Sequence, residues 1–284
     1  MTLSDKEISS IRSIFSLIDD EDEQVFFTVR KRLLSLGEVA LPYFPKNISF
    51  QTPVEKRINE IRDEIIRTVF KNEFKRIKSI GNNDIDLEEG IFLIARQRYP
   101  EIVTNLYVDQ LNRYAYELKE LLSSLTDNSE ILRRTISFIA EENNFSGNQI
   151  DYYNEDNQYI HKILETKVGV PITISAVYLL IGKRLNLPIE GIGLPGHFIL
   201  RFFTDSAAVY FDPFNRGKIL TRKDCEVMVQ NLGFTFTEEY LKPVTNRQII
   251  ERMLRNIILS LEKKNQLERI ETIRQFIDSL NSDV

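Results

Sequence analysis

Two side chains in the middle of the chain are of the types that move protons in hydrolases and transferases. His197 lies in an alternating run, GHFILRFF, and Asp212 ends the next run, VYFDPFN. A histidine that is oriented by a carboxylate can take a proton from a nucleophile or from water. If adjacent strands bring these two side chains together, they form a base with a fixed tautomer.

The same pair also has a purely structural interpretation, and the sequence leaves both open. A hydrogen bond between a histidine and an aspartate stiffens a pair of strands whatever the chemistry. The second histidine of the chain, His161, has no partner at ligand spacing, so we expect it to pack or to be solvated.

The polar loop before His161 does not have the pattern of a metal site. Asp151, Glu155 and Asp156 lack the alternating oxygen ligands and the central glycine of a calcium-binding loop. We expect Asp156 to cap the helix that contains His161. We therefore predict no metal and no cofactor.

The elements that must position His197 and Asp212 can be read from the hydrophobic pattern. A Gly-Val-Pro sequence at 169–171 opens a helix that is apolar on nearly every face, which is typical of a buried helix. The two alternating runs that follow predict a small antiparallel sheet packed on it. Gly196, directly before His197, indicates a tight turn or a close backbone approach.

The flanking regions are predicted to be helical, so the fold class is α+β and mostly helical. Residues 1–80 are predicted to hold a HEAT-like hairpin and a long helix, and residues 81–240 a core with preceding helices. Residues 241–284 are predicted to form a hairpin of two helices, Asn246–Lys263 and Leu267–Leu280, which resembles a tetratricopeptide-type pair.

Composition excludes several classes of partner. The net charge of −5 and the pI near 5.4 argue against binding to nucleic acid or to an anionic membrane surface. No apolar run is long enough to span a membrane. A single cysteine and an N-terminus without signal-peptide features predict a cytoplasmic protein.

Three sequence blocks resemble the bacterial SirB family of transglutaminase-like/TPR proteins. They are FLIARQRYPE, then DYYNEDNQYIHKILETKVGVPITISAVYLLIGKRLNLPIEGIGLPGHFILR, then FDPFNRGKILTRKDC. The resemblance runs from about Leu87 to Leu232, and the same core occurs in some F-box proteins. It implies a transglutaminase-like or papain-like core, in which a helix start, a strand and the next strand carry Cys, His and Asp.

The resemblance also implies that the nucleophile is absent. Aligned to the general transglutaminase-like pattern, His197 and Asp212 occupy the histidine and aspartate positions, and Pro171 occupies the cysteine position. Thr173 and Ser175 are the nearest hydroxyls, but they lie further into the helix. Cys225 follows in a later helix, where we expect a small buried residue.

Two hypotheses follow, and both place a cleft at the start of the central helix. The first is a catalytically degenerate domain that binds a protein or peptide partner. The alternative is an amide- or ester-directed hydrolase or transferase that uses His197 and Asp212 without a cysteine. The residues predicted to line the cleft are Gly169, Pro171, Thr173, Ser175, Gly196 and Asn215.

Overall fold

The structure is a computed structural model of the chain. It describes residues 5–18, 22–45, 52–80, 84–204 and 207–281, and for residues 5–7 and 78–80 it describes the backbone alone. Within these ranges the helices are α1 (Asp5–Phe15), α2 (Glu23–Leu36), α3 (Pro53–Ile80), α4 (Leu87–Arg98), α5 (Thr104–Leu122), α6 (Asn128–Ile136), α7 (Ile160–Thr166), α8 (Pro171–Leu185), α9 (Arg222–Gln230), α10 (Asn246–Glu262) and α11 (Leu267–Asn281). The strands are β1 (Ser146–Gly147), β2 (Val168–Gly169), β3 (Ile189–Leu194), β4 (His197–Phe203), β5 (Ala208–Asp212) and β6 (Lys218–Leu220). This is the mostly helical α+β fold that the sequence predicts.

The N-terminal helices bury their own hydrophobic cluster. Asp22 caps α2 by accepting a hydrogen bond from the Gln24 N–H at 2.8 Å. Two apolar residues one turn apart on α2, Val29 and Leu33, are buried against Ile65 of α3. The predicted boundary at residue 81 lies outside the described residues, and the division into three units stays a prediction.

The long helix α3 belongs to two cores. Its first half packs with α2, whereas Phe70 and Phe74 lie in the main cluster with the central and C-terminal helices. The ring of Phe70 stacks on Phe276 of α11 with 3.6 Å between centroids. The N-terminal helix α2 and the C-terminal helix α11 therefore both pack on α3.

Helix α8 is the centre of the main cluster, as its sequence predicts. Its first eight residues are all buried, together with Leu180, Ile181 and Gly182. Pro171 is the first helical residue, where the missing N–H has no intrahelical partner and the fixed φ suits the helix. An apolar helix of this kind is stable only when other elements cover every face.

The antiparallel sheet has the order β3-β4-β5-β6 and is buried on both faces at its centre. Phe198 and Leu200 of β4 point into the main cluster, whereas Ile199 joins a smaller cluster with Cys225 and Val229 of α9. Alternate residues of a strand face opposite sides. The sheet is therefore held between α8 and α9.

The C-terminal helices match the predicted spans to within a residue at each end. Thr245 and Gln248 form a capping box at the start of α10. The residues predicted to lie between the two helices are buried: Met253, Ile257, Leu261, Ile270, Ile273 and Ile277. They belong to the main cluster, so the hairpin is packed into the core; its likeness to a tetratricopeptide unit stays a prediction.

One local prediction was wrong. Asp156 does not cap α7, because residues Glu155–Gln158 form a 3₁₀ turn capped by Asn154, and α7 begins only at Ile160. The Asp156 carboxylate instead accepts a hydrogen bond from the Tyr99 hydroxyl at 2.5 Å. Helix α6 is continued directly by a wider π turn, Ser137–Glu142.

Candidate functional site

His197 and Asp212 meet at one edge of the sheet. His197 is the first residue of β4 and Asp212 the last of β5, and Nε2 of His197 lies 2.8 Å from Oδ2 of Asp212. The side chain of His197 is 16% exposed and that of Asp212 is 2% exposed. The histidine therefore reaches the surface, and the aspartate supports it from inside.

The surroundings of Asp212 keep its carboxylate ionised. Oδ2 also accepts a hydrogen bond from the Asn215 side-chain amide at 2.7 Å, and Oδ1 accepts from the Phe214 N–H at 3.0 Å. Burial alone would raise the pKa of Asp212, but these hydrogen bonds and the neighbouring His197 lower it below its usual value. An ionised Asp212 requires the proton on Nε2 of His197, so Nδ1 of the neutral ring is left as an acceptor.

The turn after Asp212 fixes the carboxylate in place. Arg216 and Gly217 both have left-handed φ values, 55° and 76°, and the Gly217 N–H donates to the Asp212 carbonyl at 2.8 Å. A Cβ at Gly217 would lie 2.3 Å from Cγ2 of Ile136. Glycine is required here both by φ and by space.

Pro171, the residue predicted to occupy the nucleophile position, is buried and has no reactive group. Thr173 is fully buried, and its hydroxyl donates to the Asn157 carbonyl at 2.7 Å and accepts from the Val170 N–H at 3.1 Å. Ser175 is also fully buried, and no described residue hydrogen-bonds to its hydroxyl. The structure brings neither hydroxyl to the surface where His197 is exposed.

The predicted cleft glycines have different roles in packing. A Cβ at Gly169 would lie 2.7 Å from both Thr173 Oγ1 and Ile163 Cδ1, so this glycine permits close packing in the interior. Gly196 has a φ of +66° in the turn that leads to His197, and a Cβ there would lie 2.5 Å from Leu232 Cδ1. Gly169, Thr173 and Ser175 are buried, and their roles in binding stay predictions.

Phe214 and Tyr152 form an aromatic rim beside His197. Sequence reasoning missed this rim. The Phe214 ring lies edge-to-face with His197 at 6.0 Å and with Tyr152 at 5.9 Å between centroids. Phe214 also covers Gly147, where a Cβ would lie 2.3 Å from the ring. Tyr152 lies in a loop far from His197 in the sequence, so only the fold brings these residues together.

A groove of about 500 Å³ adjoins this rim, and Phe214 is part of both. It is lined by residues 146–150, Val168 and residues 214–216. Of the residues predicted to line the cleft, Asn215 is in this groove. Ile150, one of the residues that line the groove, has a fully exposed apolar side chain.

Comparison with known proteins identifies the family. The profile of the transglutaminase-like superfamily matches residues 105–255, which include Pro171, His197 and Asp212. The chain belongs to this superfamily.

Similar proteins place the chain in the SirB branch of the superfamily. A UPF0162 protein from Xylella fastidiosa (strain 9a5c) is 26% identical over 199 residues, which cover 68% of this chain and 71% of that protein. Protein SirB1 from Salmonella typhimurium is 25% identical over 191 residues, 66% of this chain and 70% of that protein. F-box only protein 21 from Homo sapiens is 31% identical over 159 residues, 53% of this chain and 25% of that protein. No solved structure matches.

The C-terminal hairpin of this SirB-family protein contributes directly to the site. Arg252 of α10 donates from Nη2 to the carbonyls of Leu194 and His197, at 2.8 and 2.7 Å. These carbonyls flank the turn between β3 and β4. The sequence indicated only that residue 252 lies in a helix, and gave no signal that it reaches His197.

The two remaining candidate groups of this SirB-family chain are both buried. Cys225 is buried, and burial raises the pKa of its thiol to about 11, so it is protonated at neutral pH. His161 is 2% exposed and packs against the rings of Tyr99 and Tyr107, at 4.8 and 5.7 Å. Burial lowers the pKa of His161 to about 4, so its ring is neutral.

Within the described part of the chain, no group of three or more His, Cys, Asp or Glu side chains is placed to hold a metal ion. No helix among the described residues is long and apolar enough to cross a bilayer.

Proposed function

We propose that this chain is a catalytically degenerate transglutaminase-like domain that binds a peptide segment of a partner protein beside His197. The observation that carries the proposal is Pro171, a buried residue without a nucleophilic atom, at the cysteine position of the superfamily pattern. Covalent amide chemistry needs an activated nucleophile within reach of its base.

The neighbouring side chains do not replace the missing thiol. The Thr173 hydroxyl both donates to and accepts from backbone groups, and the Ser175 side chain is buried. Cys225 is buried in the smaller cluster with Ile199 and Val229, and burial keeps its thiol protonated at neutral pH. The scaffold that presents His197 is therefore retained without the atom that His197 would activate.

The surface around His197 is suited to holding an extended chain. The groove of about 500 Å³ is rimmed by Phe214 and the exposed Ile150. Concave surfaces with apolar walls and a few polar groups are typical binding sites. The cytoplasmic location expected from the sequence is part of this proposal, and cell fractionation tests it.

Selection from a phage-displayed library of random short peptides tests the binding. We expect enrichment on the wild-type protein, and loss of the enriched peptides with Phe214→Ala. Phe27→Ala is the matched control, because Phe27 is an exposed phenylalanine, 63% exposed, on the N-terminal helix α2. Absence of enrichment, or equal loss with both variants, would refute binding beside His197.

The second candidate function is hydrolysis or transfer at amides or esters through water. It is favoured by the 2.8 Å contact between His197 and Asp212 and by the acceptor left on Nδ1. A positioned histidine base accelerates reactions by about 10² to 10⁴. Amide and ester libraries should show no turnover that distinguishes wild type from His197→Ala; a His197-dependent product would replace the binding proposal with this one.

A further inference from the structure

Arg252 is a half-buried cation beside His197 without a carboxylate partner among the described residues. Its Nη2 donates to the carbonyls of Leu194 and His197. Neither Nε nor Nη1 donates to a described residue, and no described carboxylate forms an ion pair with it. Glu251, its neighbour on α10, is paired with Arg255 at 2.6 Å.

Three other partly buried arginines of this protein are compensated differently. Each donates to a carboxylate: Arg184 to Glu88, Arg201 to Glu190 and Arg269 to Glu155. The neighbouring carboxylates raise the pKa of Arg201 and Arg269, against the effect of burial. Burial lowers the pKa of Arg252, and only Tyr152 opposes it. Placing a charge in the interior is costly when no opposite charge accompanies it.

Besides its two backbone acceptors, the Arg252 guanidinium lies over the ring of Phe198, 5.6 Å from the centroid, and next to the His197 backbone. Tyr152 lies near Arg252 and is neutral at neutral pH, since burial raises its pKa further above neutrality; its ring contacts Phe214, which contacts His197. Two further cations lie at the margins: Arg216 lines the groove, and the ammonium of Lys263 lies 3.5 Å from the centre of the Tyr153 ring. In a chain with a net charge of −5, this is a locally basic rim.

We propose that Arg252 recognises a carboxylate, and that the peptide bound beside His197 carries one, either at its C-terminus or on an Asp or Glu side chain. The proposal rests on the peptide-binding function above and specifies its ligand. Arginine is suited to this role, because its planar set of donors binds a carboxylate while Nη2 keeps its contacts to the hairpin. The two backbone bonds hold the guanidinium in position before the ligand arrives.

Peptides that differ by one charge test the proposal on the unaltered protein. Libraries displayed with a free C-terminus and with a free N-terminus are selected on the full chain, and enriched peptides are synthesised. We expect replacement of one carboxylate by its amide to weaken binding about tenfold to a hundredfold, the range for a charged hydrogen bond. C-terminal amidation and Glu→Gln or Asp→Asn substitution in the peptide distinguish the two sources of the carboxylate. Peptides that bind equally in acid and amide form would overturn the proposal and leave the peptide-binding function standing; no binding by any peptide would overturn both.

Variants of the protein then locate the partner of the carboxylate. Arg252→Met should weaken the acidic peptide by the same factor and should leave the amide peptide unaffected, so that the two losses do not add. Arg252→Lys keeps the charge and shows whether any loss comes from a displaced hairpin. Arg255→Met, one turn along α10 in an exposed pair with Glu251, should change nothing. An equal loss for the acid and amide peptides with Arg252→Met would assign Arg252 to the hairpin alone and refute recognition.

Discussion

Nε2 of His197 lies 2.8 Å from Oδ2 of Asp212, where the start of β4 meets the end of β5. The carboxylate is held by an amide side chain and by backbone N–H groups in addition to the histidine. The structure therefore holds His197 and Asp212 as a fixed hydrogen-bonded pair, the arrangement on which the proposed function rests.

Replacing Pro171 by cysteine should create an activated thiol. A cysteine at the first turn of α8 lies at the positive end of the helix, and in the superfamily pattern His197 is its base; both effects lower a thiol pKa. We expect Pro171→Cys to react with iodoacetamide at neutral pH faster than free cysteine. The natural Cys225 gives no background, because burial raises its pKa to about 11.

The control for this experiment is Pro171→Cys combined with His197→Ala, which should return the thiol to ordinary reactivity. A rate that does not depend on His197 would show that the histidine and the helix start are not aligned.

His161 should make the protein sensitive to mild acid. Its pKa is lowered from 6.5 to about 4 in the folded state by burial, so the unfolded chain binds a proton that the folded chain refuses. Stability contributed by the neutral ring is therefore complete above pH 6.5 and is lost as the pH falls towards 4, by on the order of 3 kcal/mol.

His161→Phe should remove this loss, since a ring of similar size fills the site among the tyrosines without a proton to bind. Urea unfolding of both proteins between pH 7 and pH 4 measures the difference. Parallel curves for wild type and variant would contradict a buried neutral His161.

Gly217 should be intolerant of a side chain because of its contact with Ile136. Gly217→Ala meets both a φ of +76° and a Cγ2 atom at 2.3 Å. Gly233→Ala is the matched control, because Gly233 has a φ of +82° with nothing within 4 Å. We expect Gly217→Ala to be more destabilising than the control by about 1–3 kcal/mol in urea unfolding. Equal effects would mean that Ile136 moves aside without cost.

The ion pair between Arg269 and Glu155 should contribute more to stability than an exposed pair. Glu155 is 7% exposed and also accepts from the Tyr159 hydroxyl at 2.5 Å. Arg269→Met leaves the Glu155 carboxylate buried without its main partner, which should lower the free energy of unfolding by about 3 kcal/mol. The exposed pair of Arg255 and Glu251 should cost less than about 1 kcal/mol when Arg255 is replaced by Met. Thermal unfolding compares them, and equal shifts would contradict the difference.

The central part of the fold could be predicted because its signals are local. The apolar sequence of α8 and the alternation in β4 each determine the structure of their own segment. The order of Pro171, His197 and Asp212 then indicated which elements meet. Asp156 was misjudged because its hydrogen bond goes to Tyr99, a residue distant in the sequence, and not to the adjacent helix.

The rim of the site could not be predicted for the same physical reason. Tyr152, Phe214 and Arg252 come from a loop, a 3₁₀ turn and a late helix, and no periodicity relates them. Their contacts with one another or with His197 depend on how the C-terminal hairpin packs on the core. A side chain that acts across such a distance leaves no pattern in its own segment.

The contact between Arg252 and the His197 carbonyl joins residues 55 positions apart in the chain. A ribosome adds about 5–20 residues each second. The hairpin of β3 and β4 therefore leaves the ribosome several seconds before the arginine that fixes its turn. During synthesis the sheet can form first, and the site is completed last. A nascent chain that already contains folded His197 therefore still lacks Arg252, the cation that we propose binds the carboxylate of the peptide.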